Sequence, residues 1–227
     1  MHPWETPLVN SSSTGRSDGD SFGLDDAYAV VTPDDSRRLY AKWAETYDSG
    51  FVTATGYEYH EHVAEVFVAA ERPEGPTLDV GCGTGAVGEA LRARGVDWID
   101  GVDISAEMLA RAASKDVYRD LIEADLTIGL DIVDDTYAGI TSAGTFTHGH
   151  LPPAPIGELL RVAMPGAHCT IGVNAAHWVD QGFEAYLDRL AAEQRISQCV
   201  VTVVKVYAGS DPSVPNDMSN LVSFTVS

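Results

Sequence analysis

The chain has 227 residues, of which 44 % are hydrophobic and 21 % are charged, a composition typical of one sizeable globular domain and not of a disordered protein. Fourteen Lys and Arg residues against thirty-four Asp and Glu residues give a net charge of −20 at pH 7. Because nucleic acids and anionic membranes are bound through basic surface, this charge argues against both as partners.

The first predicted elements are helical. A run of small polar residues near the N-terminus predicts a disordered tail over residues 1–24. A helix is expected to follow Thr32, a candidate N-cap, because Pro33 suits the first helical position and two aspartates come next. Apolar side chains recur at helical spacing along it: Leu39, Trp43 and Tyr47. A second helix is predicted over about residues 57–71, so that residues 25–72 form a helical cap.

Short strands alternate with helices over the remaining domain, residues 73–227. Such alternation implies a parallel sheet with helices on both faces. The last two strands, over residues 200–207 and 221–226, have no helix between them and are expected to pair antiparallel as a hairpin. The predicted class is therefore α/β, with a seven-stranded mixed sheet whose last strand is antiparallel. Before that hairpin, strands are predicted at 78–80, 98–103, 119–123, 137–142 and 168–174, and helices at 86–94, 106–113, 156–164 and 183–195.

The three cysteines, Cys82, Cys169 and Cys199, are odd in number and far apart, without a Cys-x-x-Cys pair. This spacing argues against a disulfide framework and against a zinc site. The N-terminus has neither the basic start nor the apolar run of a signal peptide, and no apolar stretch approaches the length of a membrane span. We therefore expect a cytoplasmic protein that binds no metal.

The strongest functional signal is the sequence Leu-Asp-Val-Gly-Cys-Gly-Thr-Gly over residues 78–85, at the end of the first predicted strand. A loop so rich in glycine lets the backbone approach a ligand closely, at the edge where an open α/β sheet binds its ligands. Asp103 ends the second strand eighteen residues past Gly85. A carboxylate there can accept hydrogen bonds from both hydroxyls of a ribose. Together these features predict a cofactor that carries a nucleoside.

A dinucleotide cofactor is one alternative, because Gly81, Gly83 and Ala86 also satisfy the dinucleotide-binding fingerprint. Asp79 argues against it, since a carboxylate two residues before the first glycine would repel a pyrophosphate but suits a cationic amino-acid ligand. None of the three lysines has a tyrosine four residues before it or a Ser or Thr after it. The short-chain dehydrogenase pair and the Walker-type phosphate loop are therefore both missing.

On these residues the sequence resembles the class I methyltransferases that use S-adenosylmethionine (SAM), from about residue 36 to the C-terminus. The glycine motif matches the first motif of that family at every position, and Gly-Val-Asp-Ile-Ser-Ala-Glu-Met-Leu over residues 101–109 matches the second. Residues 40–48, Tyr-Ala-Lys-Trp-Ala-Glu-Thr-Tyr-Asp, resemble a stretch of the small-molecule branch, including methyltransferase-like proteins of the Williams–Beuren region type. Residues 161–166 resemble the turn before the fifth strand, although Ala167 stands where a second glycine is more usual.

The resemblance implies a Rossmann-like fold, SAM as the cofactor and S-adenosylhomocysteine (SAH) as its product. Asp79 would lie near the ammonium group of SAM, Asp103 would accept from the ribose hydroxyls, and Ile104 would pack on adenine. Tyr47 would reach the methionyl carboxylate, and Asp125 would accept a hydrogen bond from the adenine amino group. The full set of cofactor-binding residues implied by the resemblance is Tyr47, Asp79, Gly81, Cys82, Gly83, Gly85, Asp103, Ile104, Met108, Asp125, Leu126, Ser142, Gly144 and Phe146.

Three residues are candidates for the base that some methyl acceptors require. His148 and His150 follow the fourth strand, where this fold presents its substrate side, and histidine titrates near neutral pH. An exposed loop pair without function is the alternative for these two histidines. Tyr40, on the first helix, is the third candidate.

The sequence therefore predicts an enzyme that transfers the methyl group of SAM to an oxygen or nitrogen atom, or to carbon or sulfur, of a small-molecule acceptor. We expect no nucleic-acid or membrane partner, and a monomer or a homodimer. Two alternatives stay open at this point. One is an NAD(P)-dependent oxidoreductase on a related fold, and the other is a protein that binds SAM without turning it over.

Overall fold

A computed structural model of the chain describes residues 32–44, 56–147, 151–208 and 218–227. The predicted tail and three of the predicted site residues, Tyr47, His148 and His150, lie outside the described residues. Within the described ranges, no helix has the length and apolar character needed to cross a membrane. The division into a cap over residues 25–72 and a following domain stays a prediction.

Seven strands form one mixed sheet in the order β3-β2-β1-β4-β5-β7-β6. Strands β1 to β5 pair in parallel, and β7 runs antiparallel to both β5 and β6. The predicted Rossmann-like sheet and its antiparallel hairpin are therefore confirmed. The strands are β1 (Thr77–Val80), β2 (Ile99–Asp103), β3 (Asp120–Glu123), β4 (Tyr137–Phe146), β5 (Ala163–Asn174), β6 (Val200–Lys205) and β7 (Met218–Thr225).

The helices of the described residues cover both faces of this sheet. Leu221 and its neighbour Val222 on β7 point to opposite faces, and each belongs to a different buried apolar cluster. Helices α2 and α3 contribute to the cluster around Leu221, whereas α5 and α7 contribute to the cluster around Val222. The helices are α1 (Pro33–Trp43), α2 (Tyr59–Val68), α3 (Ala86–Ala93), α4 (Ala106–Ala113), α5 (Ile156–Val162), α6 (Ala175–Asp180) and α7 (Phe183–Ala192).

The start of α1 is as predicted. The Thr32 hydroxyl accepts a hydrogen bond from the Asp35 backbone nitrogen at 3.2 Å, and the Asp35 carboxylate accepts one from the Thr32 backbone nitrogen at 3.0 Å. This reciprocal capping box satisfies two backbone donors that the first helical turn leaves without partners.

Two element boundaries differ from the prediction because sheet pairing overrides local pattern. The predicted helix over residues 156–164 ends earlier, and β5 already begins at Ala163, which pairs with Tyr137 of β4. Strand β4 also continues four residues beyond residue 142, with Phe146 paired to Val173 of β5.

Two further differences concern helices. The short helix α6 was missed, and its N-cap Asn174 accepts hydrogen bonds from the backbone nitrogens of Ala176 and His177 at 3.0 and 3.2 Å. Helix α2 begins two residues later than predicted. The residues before it pair instead with the chain after β6, through a bridge between Tyr57 and Tyr207 and a hydrogen bond from Glu58 to Val206.

Candidate cofactor site

The glycine loop between β1 and α3 is fixed against β2 by its own backbone. The backbone nitrogens of Gly81 and Cys82 both donate to the carbonyl oxygen of Val102, at 2.8 and 3.0 Å. Gly81 has a φ of 65°, and a Cβ added there would collide with the Thr145 hydroxyl. Gly83 also has a positive φ, of 54°, but a Cβ there would meet nothing within 4 Å. Glycine is therefore required at Gly81 by space and at Gly83 by backbone conformation alone.

Asp103 joins the loop to the end of β2. Its two carboxylate oxygens accept hydrogen bonds from the backbone nitrogens of Gly83, at 2.8 Å, and Ser105, at 2.9 Å. Burial raises the pKa of Asp103, while the bonds from Ser105, Gly83 and Ile104 oppose that rise. Since a carboxylate has about four acceptor positions, Asp103 keeps acceptor capacity for a ligand after these three backbone bonds are made.

A pocket lies at the carboxyl ends of β1, β2 and β4, beside this loop. Its walls come from the loop, the strand ends, the segment after β3 and helix α1: Ser36, Tyr40, Val80, Gly81, Gly83, Val102, Asp103, Ile104, Met108, Ala124, Asp125, Leu126, Thr127, Ala143, Gly144, Thr145 and Leu151. Nine residues predicted from sequence are among them: Tyr40, Gly81, Gly83, Asp103, Ile104, Met108, Asp125, Leu126 and Gly144. The ligand edge expected for an open α/β sheet is thus the edge where this pocket lies.

Asp79 and Cys82 were also predicted to bind the cofactor, but the structure places both outside the pocket wall. The Asp79 carboxylate is fully buried and accepts hydrogen bonds from the hydroxyls of Tyr118, at 2.7 Å, and Thr141, at 3.3 Å. Burial raises the pKa of Asp79 to about 7, against the effect of these two hydrogen bonds. The Cys82 side chain is buried, and its sulfur occupies the space that a Cβ at Gly101 would need.

Gly85, Ser142 and Phe146 likewise lie outside the wall, and each has a structural contact. Gly85 leaves room for Tyr118, whose ring would be 3.0 Å from a Cβ there. The Ser142 hydroxyl donates to the carbonyl oxygen of Val80 at 2.8 Å. Phe146 is fully buried against Phe183, with ring centroids 6.0 Å apart. These contacts hold β1, β4 and the loop in place from outside the pocket wall.

Several wall residues were missed by the sequence analysis. Thr127 donates to one Asp125 carboxylate oxygen through its backbone nitrogen, at 2.9 Å, and its hydroxyl, at 2.6 Å. Ser36 and Leu151 complete the wall from distant parts of the chain. No motif marks these residues, and the Asp-x-Thr turn at Asp125 was the one local signal available.

Helix α1 closes one side of the pocket. Leu39 and Tyr40 pack against the buried Met108 of α4. One Arg37 guanidinium nitrogen lies 3.3 Å from the other Asp125 carboxylate oxygen, and the Arg37 side chain is 42 % exposed. The helix is therefore held to the pocket by an apolar contact and by one partly exposed ion pair.

The fold and the pocket are typical of open α/β proteins that bind a nucleoside-bearing cofactor. A seven-stranded open α/β sheet presents a glycine loop, a carboxylate at the end of β2 and an apolar wall at one edge. This arrangement suits a nucleoside-bearing cofactor, because Asp103 has acceptor capacity at the wall and the side chains of Ile104 and Leu126 offer apolar surface for a ring. Among the described residues, no cluster of three or more His, Cys, Asp or Glu could hold a metal ion.

Comparisons with known proteins identify the family within this class. A family model described as a methyltransferase domain matches residues 77–166. Human methyltransferase-like protein 27 is 32 % identical over 170 residues, which are 70 % of this chain and 67 % of that protein. An 18S rRNA (guanine-N(7))-methyltransferase of Arabidopsis thaliana is 43 % identical over 65 residues, so the match spans 29 % of this chain and 22 % of that protein.

A solved structure has a similar fold. Magnesium protoporphyrin IX methyltransferase from Synechocystis, crystallised with bound SAM, aligns with a TM-score of 0.62 and 19 % identity, over 88 % of this chain and 99 % of that chain. The chain belongs to the class I SAM-dependent methyltransferases, enzymes that use SAM as methyl donor, and its cofactor is SAM. This membership favours SAM over the dinucleotide alternative.

Proposed function

We propose that this chain transfers the methyl group of SAM to a small-molecule acceptor. The observation that carries this proposal is the chemistry of the pocket wall, which contains no lysine or arginine among the described residues and has Asp103 and Asp125 as its charged groups. With a net charge of −20, the chain offers little basic surface to a phosphate backbone. A concave, mostly apolar wall with a few polar groups suits a small molecule.

We infer the placement of the cofactor from the same wall. Asp103 accepts from the ribose hydroxyls, and Ile104 and Leu126 pack on the adenine ring. Asp125 accepts from the adenine amino group, although Thr127 and Arg37 already occupy part of its acceptor capacity. The methionine part lies along the backbone of Gly81 and Gly83. Tyr47 at its carboxylate stays a prediction.

For methyl transfer the protein has to align the acceptor with the methyl group of SAM and exclude water. SAM supplies a methyl group on a positively charged sulfur. The end of β4 and Leu151 form a mostly apolar part of the pocket wall, which would keep water from the acceptor. Tyr40 lies in the same wall and can orient an acceptor or receive its proton, as can His148 and His150 if the acceptor must be deprotonated.

The acceptor proposal is tested by measuring SAH release with a panel of small alcohols, phenols, amines and thiols, beside an 18S rRNA fragment and a peptide library. We expect turnover with a small molecule and none with RNA, because the acidic chain repels a polyanion. An Asp103→Ala variant assayed at the same SAM concentration controls for a contaminating methyltransferase. Turnover by the wild-type chain on the rRNA fragment alone would contradict the proposal.

The histidine hypothesis has its own test, once an acceptor is known. If either histidine is the base, replacing both His148 and His150 by Asn should lower the turnover rate by about 10²–10⁴-fold while SAM affinity stays the same. The wild-type rate should also rise with pH through roughly 6–7, as imidazole loses its proton. A normal rate and pH profile in the double variant would support the alternative that both histidines belong to an exposed loop without function.

A further inference from the structure

One tyrosine that no motif predicted packs against the glycine loop from outside the pocket wall. Tyr118 lies between α4 and β3, and its hydroxyl donates to an Asp79 carboxylate oxygen at 2.7 Å. Three glycines make room for its side chain. A Cβ would lie 3.0 Å from the ring at Gly85 and 3.2 Å from it at Gly101, and a Cβ at Gly88 would overlap the phenol.

These three glycines belong to three different elements. Gly85 ends the cofactor loop, Gly88 is in the first turn of α3, and Gly101 is in the middle of β2. A single ring therefore packs at the point where loop, helix and strand meet. Because real Cβ atoms are not found this close to a ring, a larger residue at Gly88 would displace Tyr118 and its hydrogen bond to Asp79.

The Asp79 carboxylate that Tyr118 contacts has no described cation beside it. It is fully buried, and among the described residues its hydrogen bonds come from the hydroxyls of Tyr118 and Thr141. The titratable groups that face it are Tyr118, Cys82 and Asp103. Burial raises the pKa values of Tyr118 and Cys82 well above their usual range, so both stay neutral near pH 7. Asp103 is the acidic neighbour among these, and its electrostatic effect raises the pKa of Asp79 further.

We propose that Tyr118 is a positioning residue for SAM binding, which packs the glycine loop against β2 and donates a hydrogen bond to the Asp79 carboxylate beneath it. The inference rests on the cofactor placement proposed above, with the methionine part along the loop. Asp79 lies outside the pocket wall, so it acts through the loop as a buried negative charge that favours the cationic sulfonium and ammonium groups of SAM. The hydroxyl of Tyr118 stabilises that charge by donating to it.

The proposal predicts that SAM affinity depends on pH. A buried carboxylate with a pKa of about 7 ionises as pH rises through neutrality, so SAM affinity should rise over the same range. Tyr118→Phe keeps the ring and removes a hydrogen bond to the ionised form, so the midpoint of this rise should move to higher pH by about one unit. At pH 7 the variant should then bind SAM about 5-fold more weakly.

Adenosine separates this effect from damage to the loop. It lacks the methionine part, and its proposed contact is Asp103, which is hydrogen-bonded to Gly83 of the same loop. A loop displaced in Tyr118→Phe would weaken adenosine and SAM together, whereas loss of the Asp79 charge weakens SAM alone. Tyr137→Phe is the matched control, because Tyr137 is buried and donates to Asp100 of β2 at 3.0 Å, away from the pocket wall.

The experiment is calorimetric titration of SAM and adenosine into the full wild-type chain, Tyr118→Phe and Tyr137→Phe, from about pH 5.5 to 9. We expect the shifted SAM midpoint in Tyr118→Phe only, with adenosine affinity unchanged. Asp79→Asn should remove the pH step, which keeps the test valid if Tyr118→Phe folds poorly. If Tyr118→Phe keeps the wild-type SAM midpoint, or loses affinity for SAM and adenosine equally, the proposed effect of the Tyr118 hydroxyl on Asp79 is overturned while the cofactor placement stands. A wild-type chain that binds no SAM would overturn the cofactor placement as well.

Discussion

The floor of the pocket and its cap are held in different ways. The floor consists of the glycine loop and the end of β2, and backbone hydrogen bonds from Gly81 and Cys82, with the Asp103 carboxylate, tie it to the buried sheet. The cap of the pocket, meaning helix α1 and not the predicted range 25–72, is held by an apolar contact with Met108 and by the partly exposed pair of Arg37 and Asp125. A floor built into the sheet is preorganised for the cofactor, whereas a cap held by a few contacts can open. We therefore expect cofactor affinity to depend on the floor far more than on the cap.

The largest loss should follow Gly81→Ala. The added Cβ would collide with Thr145, and the φ of 65° is costly for alanine, so the loop cannot keep its geometry. We expect SAM affinity to fall by about 100-fold, measured by calorimetry. Gly95→Ala is the matched control, because Gly95 also has a positive φ, of 84°, but lies away from the pocket wall. Equal SAM affinity in both variants would contradict a fixed floor.

Asp103→Ala should have the next largest effect. Loss of the proposed ribose hydrogen bonds to a charged acceptor should weaken SAM binding by about 1–3 kcal/mol. Asp120→Ala, at the exposed end of the neighbouring strand β3, removes a carboxylate without touching the pocket wall and should leave affinity unchanged. A folded Asp103→Ala chain that binds SAM normally would remove this residue from the site.

Substitution of the cap residue Tyr40 should separate acceptor from cofactor. Tyr40→Phe keeps the ring that packs near Met108 and removes the hydroxyl. We expect SAM affinity within about 2-fold of wild type, and a change in the acceptor Michaelis constant or in turnover if the hydroxyl touches the acceptor. A loss of SAM affinity as large as that of Asp103→Ala would show that the cap, too, binds the cofactor.

The smallest effect is expected for Arg37→Ala. Exposed ion pairs contribute about 0–1 kcal/mol and are screened by salt, so SAM affinity should fall by less than about 5-fold at low salt and not at all at high salt. Arg38→Ala is the control, since Arg38 pairs with Asp35 within the same helix and does not reach the pocket wall. A salt-independent loss would mean that Arg37 contacts the ligand itself.

The floor could be predicted from sequence because its requirements are local. A positive φ demands glycine at Gly81 and Gly83, and Asp103 follows the loop at a spacing set by one helix and one strand. The capping box at Thr32 is local in the same way. Each of these positions is constrained by its own backbone, so the residue type carries the signal.

The remaining contacts depend on packing between distant segments. Tyr118 reaches Asp79 from thirty-nine residues away, and nothing in the neighbouring sequence marks it. The same holds for Ser36 and Leu151, which join the pocket wall from positions far from the glycine loop in the sequence. The beginning of β5 was missed because pairing of Ala163 with Tyr137 outweighs the helical pattern that continues to residue 164.

The most direct test of the proposed site is a crystal structure of the chain with SAH. We expect the ribose hydroxyls within hydrogen-bonding distance of the Asp103 carboxylate, the adenine ring between Ile104 and Leu126, and the homocysteine part along Gly81 and Gly83. The Asp79 carboxylate should stay beneath the loop, bonded to Tyr118 and without direct contact to the ligand. SAH bound away from this pocket, or bound in it with the ribose remote from Asp103, would contradict the account.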